Sequence, residues 1–141
     1  MDHVVYVDAK SNELEKILTG EKSIILRGAA GRKLPYGRVE IGNILYFIRN
    51  NGEGLIHAKA QVDNVYNSEK MDKETSAALI EEHLEDLQLS PALLKRWSGK
   101  RYLVLITIIN PEAISPFRID KSDFGNMDDW LAVGEIDSVR N

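Results

Sequence analysis

The sequence predicts a single α+β domain, mainly β, in which helices flank a small closed or half-closed β-barrel. Two observations carry this prediction: short apolar strands separated by turn signals recur along the chain, and two helical stretches interrupt them. Helices inserted into a set of antiparallel strands produce such a barrel. Because 141 residues suffice for one core, we expect one domain over residues 1–141.

The first half of the chain predicts four strands and one short helix. Residues 4–7 are β-branched and aromatic, which is typical of a strand. Asn12 and Glu15 have the spacing of a helix capping box, and Gly20 stands where a helix would end. The other predicted strands cover residues 23–26, 44–49 and 55–62 or 55–65, and a glycine-rich turn over residues 50–54 joins the last two.

The second half predicts two helices and further strands. The first helix covers residues 73–87, with Ala77, Ile80, Leu84 and Leu87 on its buried stripe. A shorter helix begins at Ser90-Pro91 and runs to about residue 97. The longest apolar run, residues 102–109, predicts a central strand that Asn110-Pro111 ends, followed by weaker strands over residues 115–119 and 130–133.

Composition excludes several classes of protein. The chain has no cysteine, which excludes disulfide and thiolate chemistry and fits a cytoplasmic location. No apolar run reaches the length of a membrane span, and the first residues lack the layout of a signal peptide. A net charge of −4 argues against broad, non-specific binding to duplex nucleic acid.

Charge is nevertheless distributed unevenly along the chain. Residues 22–38 contain five basic residues and no acid, and Gly28, Gly31 and Gly37 punctuate them. Glycines allow backbone N–H groups to approach a ligand, and fixed cations beside them attract phosphates. Residues 63–86 contain eight acids against two lysines, as expected for a solvated helix face. One basic pole and one acidic pole predict local anion binding, with a solvated basic loop as the alternative.

Other chemistries lack the residues they need. The three histidines, His3, His57 and His83, form no ligand-spaced pair, so we expect no metal site and no cofactor. The glycine loop lacks the Gly-Lys-[Ser/Thr] ending of a nucleotide-binding P-loop. The chain also has no nucleophile-elbow motif.

A short helix followed by Gly20, Lys22 and Arg27, in the order Gly-x-Lys-x-x-x-x-Arg, resembles the signature of the ASCH family. That family is a branch of the PUA-like superfamily. Ile25 occupies the position where its pattern has an acid. The resemblance implies a PUA-like barrel with a basic motif at a cleft, and RNA or a modified nucleotide as ligand. On this hypothesis Lys22, Ser23, Arg27, Arg32 and Lys33 border the ligand.

An aromatic side chain would then stack on the base. Trp130 is the preferred candidate because the resemblance implies that it lies near the cleft. The alternatives are Tyr36, Tyr46, Trp97 and Tyr102.

A second hypothesis follows from one ASCH branch, which resembles a small amidohydrolase of acetylated cytidine. Its catalytic lysine matches Lys22, but its threonine falls on Ile25, which has no hydroxyl. Ser23 shares a strand face with Ile25 and would replace the threonine only with a shifted geometry. The acid would come from the long helix, with Glu74, Glu81 and Glu82 as candidates. A structural module within a larger complex is the third hypothesis.

Overall fold

The structure, a computed structural model, describes residues 1–125 and 129–141. Its strands and helices follow one another along the chain as β1 (Asp2–Val7), α1 (Glu13–Thr19), β2 (Ile24–Ala29), β3 (Ile44–Arg49), β4 (Leu55–Asn67), α2 (Lys73–Glu82), α3 (Leu84–Leu87), α4 (Pro91–Trp97), β5 (Tyr102–Arg118) and β6 (Trp130–Gly134). A 3₁₀ turn, Ile136–Ser138, follows β6. None of the helices in these ranges is long and apolar enough to cross a membrane.

The six strands form one curled sheet in the order β2-β5-β4-β3-β1-β6. Neighbouring strands are antiparallel except β1 and β3, which run parallel. The two edge strands, β2 and β6, lie close to each other. Their proximity is seen in the contact between Arg27 on β2 and Asp129, the residue just before β6. The sheet is therefore a half-closed barrel with flanking helices, which confirms the predicted fold class.

Both faces of the sheet carry a core. On one face Leu14 and Ile17 of α1 pack with Ile25 of β2. On the other face Ile80 and Leu87, from α2 and α3, pack with residues of β2 and β5. Burying one such side chain contributes roughly 1.5–3 kcal/mol. The strand β2 is thus covered on both sides, which places its residues between two packed layers.

The strand β5 is longer than the sequence predicts. Asn110 and Pro111 do not end it, because Gln61 pairs with Ile109 while Lys59 pairs with Glu112. Asn110 and Pro111 together lie opposite Ala60, so β5 has one extra residue in a bulge, where Asn110 adopts a φ of 55°. Pairing with β4 then continues to Arg118, so the separate strand predicted over residues 115–119 is part of β5.

Two helix predictions also differ from the structure. The predicted helix 73–87 breaks at His83 into α2 and α3, and this break leaves Leu84 exposed instead of on the buried stripe. Asn12 adopts a left-handed conformation, with φ 57°, and forms no side-chain cap. Gly20 ends α1 with a φ of 83°, and the Ser90 hydroxyl caps α4 by accepting from the Leu93 N–H, both as predicted.

Candidate functional site

A cavity of about 280 Å³ lies where β2 meets the glycine-rich loop. Its walls are the end of β2 and the loop after it, residues 27–31 and 33–36, the end of α4 with the turn after it, the start of β5, and Asp129. Four cations line it, namely Arg27, Lys33, Arg96 and Lys100. Three aromatic residues, Tyr36, Trp97 and Tyr102, line it as well. Asp129 supplies the one carboxylate among the described residues of this lining.

Gly28 allows the walls of the cavity to meet closely. A Cβ atom at this position would lie 2.7 Å from Leu103 Cδ2 and 3.2 Å from Lys100 Cβ. Only glycine therefore permits the turn after α4 to pack against β2 without a shift. A Cβ at Gly31 would meet nothing within 4 Å, so the absence of a side chain matters at Gly28 and not at Gly31.

Arg27 is held rigidly in the cavity wall. Its Nη1 donates to the Leu26 carbonyl at 2.8 Å and its Nη2 to the Tyr6 carbonyl at 2.6 Å. The guanidinium lies 5.9 Å from the centroid of the Trp97 ring and 5.7 Å from that of Trp130. The residue is only 7% exposed, and its Nε has no hydrogen-bond partner in the described part of the chain. Nε instead lies 3.2 Å from Asp129 Oδ2 as an ion pair, so Arg27 is a fixed cation that faces one carboxylate.

The aromatic pair Tyr36 and Tyr102 forms a second wall. The two rings meet edge to face, with centroids 5.6 Å apart, and the Tyr36 hydroxyl donates to the Ser68 carbonyl. Arg32 lies 5.7 Å from the centroid of each ring, which favours this arrangement through cation–π attraction. Lys33 is exposed at the rim. Of the predicted basic residues, Arg27 and Lys33 therefore lie in the lining, and Arg32 lies beside it against the two tyrosine rings.

Lys22 lies apart from this lining. Its side chain is 1% exposed, and its Nζ donates to the Leu87 carbonyl and lies 3.4 Å from Glu13 Oε2. Burial lowers the pKa of Lys22, while the charge of Glu13 opposes that shift. Lys22 is not among the residues that line the cavity, so in this conformation it does not touch a ligand there.

The acid beside Lys22 also differs from the expectation. Glu74, Glu81 and Glu82 on α2 are exposed, whereas Glu13 on α1 is buried against the lysine. Ile25 is fully buried. Ser23 is half-buried outside the cavity lining, and its backbone N–H donates to the Asp86 carbonyl.

Trp130, the preferred stacking residue of the sequence analysis, is 1% exposed and offers no free face to a base. Its Nε1 donates to His3 Nδ1 at 3.0 Å, and His3 Nε2 lies 3.0 Å from Asn43 Oδ1. Both imidazole nitrogens of His3 are therefore engaged, and burial lowers its pKa. Trp130 supports Arg27 from behind, while Tyr36, Trp97 and Tyr102 are the aromatic residues of the lining.

Sequence reasoning missed Arg96, Lys100 and Asp129 as residues of the cavity. Arg96 and Lys100 follow β2 by roughly seventy residues in the sequence. They lie beside β2 only because α4 packs on the sheet. A signal was present, since residues 91–111 contain four basic residues around Trp97 and no acid. Asp129 carries no local signal, because only the approach of the edge strands places it beside Arg27.

A smaller recess of about 50 Å³ adjoins the cavity. The two spaces share Arg27, Arg96, Trp97 and Asp129 as walls, and the recess is lined in addition by Asp8 and Glu13. Within the described ranges, no group of three or more histidines and carboxylates is arranged to hold a metal ion.

No protein-family model and no curated protein matches this chain. Among solved structures, it is similar to ASCH from Zymomonas mobilis, with a TM-score of 0.69 at 13% identity, covering 99% of this chain and 96% of that one. A tyrosine-to-phenylalanine mutant of the Z. mobilis protein matches with a TM-score of 0.70 at 12% identity, covering 97% of this chain and 93% of that one. Likeness at this identity establishes the fold alone, and the chain accordingly has the fold of these ASCH structures.

Proposed function

We propose that this protein binds a nucleotide, free or within single-stranded RNA, in the cavity beside Gly28. The observation that carries the proposal is the convergence of four cations and three aromatic side chains on one space of about 280 Å³. That volume lies near the lower end of small-molecule sites, roughly 300–1,000 Å³. It suits a single nucleotide unit rather than a duplex.

The cations differ in their suitability for a phosphate. Lys33 and Arg96 are exposed, and Lys100 is half-buried, so these three side chains reach a ligand without disturbing the core. Arginine binds phosphate through two parallel N–H donors, and lysine contributes a point charge. Arg27 is already engaged by two carbonyls and contributes mainly a fixed positive potential.

The aromatic walls suit a base. Tyr36 and Tyr102 are half-buried, so each keeps surface at the cavity while its position is fixed by the contact with the other ring. Stacking of a base on an aromatic side chain contributes roughly 1–3 kcal/mol and tolerates any base. The acids of α2 and α3 and the net charge of −4 repel the rest of a polyanion, which restricts the contacts to a few phosphates.

The salt dependence of RNA binding tests this proposal. Fluorescence anisotropy of a labelled single-stranded oligonucleotide gives the binding constant at several salt concentrations. The logarithm of this constant, plotted against the logarithm of the salt concentration, has a slope of about −0.7 per phosphate contact. We expect a slope of roughly −1.4 to −2.8, for two to four contacts. Lys33→Ala and Arg96→Ala should each make the slope shallower, whereas Lys95→Ala, exposed on the same helix but outside the lining, should leave it unchanged. A slope of zero for wild-type protein would remove the proposal.

A second candidate, hydrolysis of an acylated nucleoside, is favoured by the recess beside the cavity. Glu13 lines this recess and is paired with the buried Lys22. A space of about 50 Å³ exceeds the roughly 10–15 Å³ that one water needs. In this reading Glu13 removes a proton from a water in the recess, and the water oxygen bonds to the acyl carbon. The acyl carbon–nitrogen bond then breaks, the proton passes to the leaving amine, and the carboxylic acid and the free nucleoside are released.

Product analysis tests the second candidate. Wild-type protein is incubated with acetylated cytidine, and free cytidine is followed by chromatography. Turnover that is lost in Glu13→Gln would support hydrolysis at the recess. Turnover by Glu13→Gln at the wild-type rate, or none by wild-type protein, would reject it.

A further inference from the structure

Asp129 places a carboxylate in a cavity that is otherwise cationic. Its Oδ2 lies 3.2 Å from Arg27 Nε and 3.8 Å from Arg96 Nη2. Arg27 is itself fixed by two carbonyls and by the faces of Trp97 and Trp130. The carboxylate side chain is 35% exposed, so it is both held in place and open to a ligand.

A carboxylate only accepts hydrogen bonds, at about four lone-pair positions on its two oxygens. The contact that each of the two arginines makes with this carboxylate is to Oδ2. Such a group repels a phosphate and attracts neutral N–H donors. Asp129 is therefore suited to the base of a bound nucleotide, while Lys33 and Lys100 are suited to its phosphate.

We propose that Asp129 selects the base and that the preferred ligand is a guanine nucleotide, an inference that rests on the proposed nucleotide-binding function. The Watson–Crick edge of guanine presents a ring N–H beside an amino group, which are two adjacent donors for the two oxygens of one carboxylate. Adenine and cytosine present one amino group next to a lone pair that the carboxylate repels. Uracil presents one N–H between two carbonyls. RNA-binding proteins commonly recognise unpaired bases through these edges.

The competing explanation is that Asp129 only neutralises Arg27. A counter-ion of that kind would affect stability and the affinity for phosphate, but it would not distinguish one base from another. Base preference is therefore the property that separates the two explanations, and inosine monophosphate isolates it. Inosine differs from guanosine only by lacking the amino group.

The experiment is isothermal titration of wild-type protein with the monophosphates of guanosine, inosine, adenosine, cytidine and uridine. We expect guanosine monophosphate to bind on the order of tenfold or more tightly than each of the others, as for one well-formed bidentate contact. In Asp129→Asn, one acceptor becomes a donor, and the ratio between guanosine and inosine monophosphate should fall to about one. Lys100→Ala is the matched control: it should weaken all five ligands while the ratio stays at its wild-type value.

The outcomes are distinguishable. If wild-type protein binds neither these five ligands nor a single-stranded oligonucleotide, the proposed function fails and this inference fails with it. If it binds the oligonucleotide but none of the five monophosphates, the function stands and this inference alone is overturned. If it binds all five with affinities within about threefold of one another, the function stands and this inference alone is overturned. A guanosine-to-inosine ratio that persists in Asp129→Asn overturns it equally. Should that variant not fold, the ratio in wild-type protein decides the question.

Discussion

Arg27 and Asp129 join the two edges of the curled sheet, with Nε of the arginine 3.2 Å from Oδ2 of the aspartate. Among the described residues β2 pairs only with β5, and β6 pairs only with β1. The gap between these two edge strands, here called the seam, is therefore bridged by side chains and not by backbone hydrogen bonds between strands. Arg27 also donates to the Tyr6 carbonyl on β1. Because no ladder fills the seam, room remains beside it, and the residues that close the barrel also line the cavity.

Arg27→Gln should destabilise the fold. The Arg27 side chain is buried and donates to two backbone carbonyls, which lose their donor in this variant. Each buried carbonyl that loses its donor costs about 1–3 kcal/mol. Arg96→Gln, at a side chain that is 59% exposed, should stay within about 0.5 kcal/mol of wild type. Urea denaturation measures both, and equal midpoints for the two variants would contradict this account of the seam.

Lys22→Met should destabilise the fold more strongly than a change at any exposed lysine. The substitution leaves the Glu13 carboxylate buried and uncompensated, for which about 3–5 kcal/mol is typical. Adding Glu13→Gln should recover part of the loss in the double variant. A Lys22→Met protein as stable as Lys33→Ala would show that the buried pair contributes little.

Gly28→Ala and Gly31→Ala form a matched pair within one loop. The methyl group at residue 28 meets Leu103 and Lys100, so this variant should lose stability and displace Lys100 from the cavity wall. A forced contact of this kind typically costs about 1–3 kcal/mol. The methyl group at residue 31 meets no atom within 4 Å, so this variant should behave like wild type. Thermal denaturation and nucleotide affinity are measured on both variants. Equal melting temperatures and equal affinities would show that the packing at Gly28 is loose and would contradict this prediction.

Acid should destabilise the protein through His3. Burial lowers the pKa of His3 below its ordinary value of 6.5, so the unfolded chain takes up the proton first as the pH falls. The stability contributed by neutral His3 is complete above pH 6.5 and is lost as the pH falls through the lower folded-state pKa. The slope cannot exceed about 1.4 kcal/mol per pH unit for one group. Urea titrations between about pH 7.5 and pH 5 should show a steeper loss for wild type than for His3→Gln.

Local sequence patterns predicted the elements whose causes are local. The strand at Ile44–Arg49 was predicted with its observed ends, and Gly20 and Ser90 were correctly placed at helix ends. The patterns failed where distant pairing decided the outcome. The chain continues through Asn110-Pro111 because β4 supplies partners on both sides of the bulge, which no local rule for proline includes.

Only part of the candidate site could be predicted from the sequence. The basic glycine loop was identified because its charges are consecutive in the sequence, and the structure brings Arg27 and Lys33 into one lining. The alternation of residues along β2 could not predict which of its side chains are buried, because both faces of that strand are covered. Lys22, predicted at the ligand, lies between α1 and β2 and is paired with Glu13 of α1 in the interior, a pairing that no local pattern indicates.

The most direct test of the central claim is a map of backbone amide shifts by nuclear magnetic resonance. Isotope-labelled protein is titrated with a short single-stranded RNA of mixed sequence. We expect the largest shifts on residues 28–31, on residues 33, 34 and 36, and on the indole N–H of Trp97. A second groove, about 320 Å³ and lined by Tyr66 and His83 beside α2, serves as the internal control and should stay unchanged. Shifts confined to that groove, or none at saturating RNA, would contradict nucleotide binding in the cavity beside Gly28.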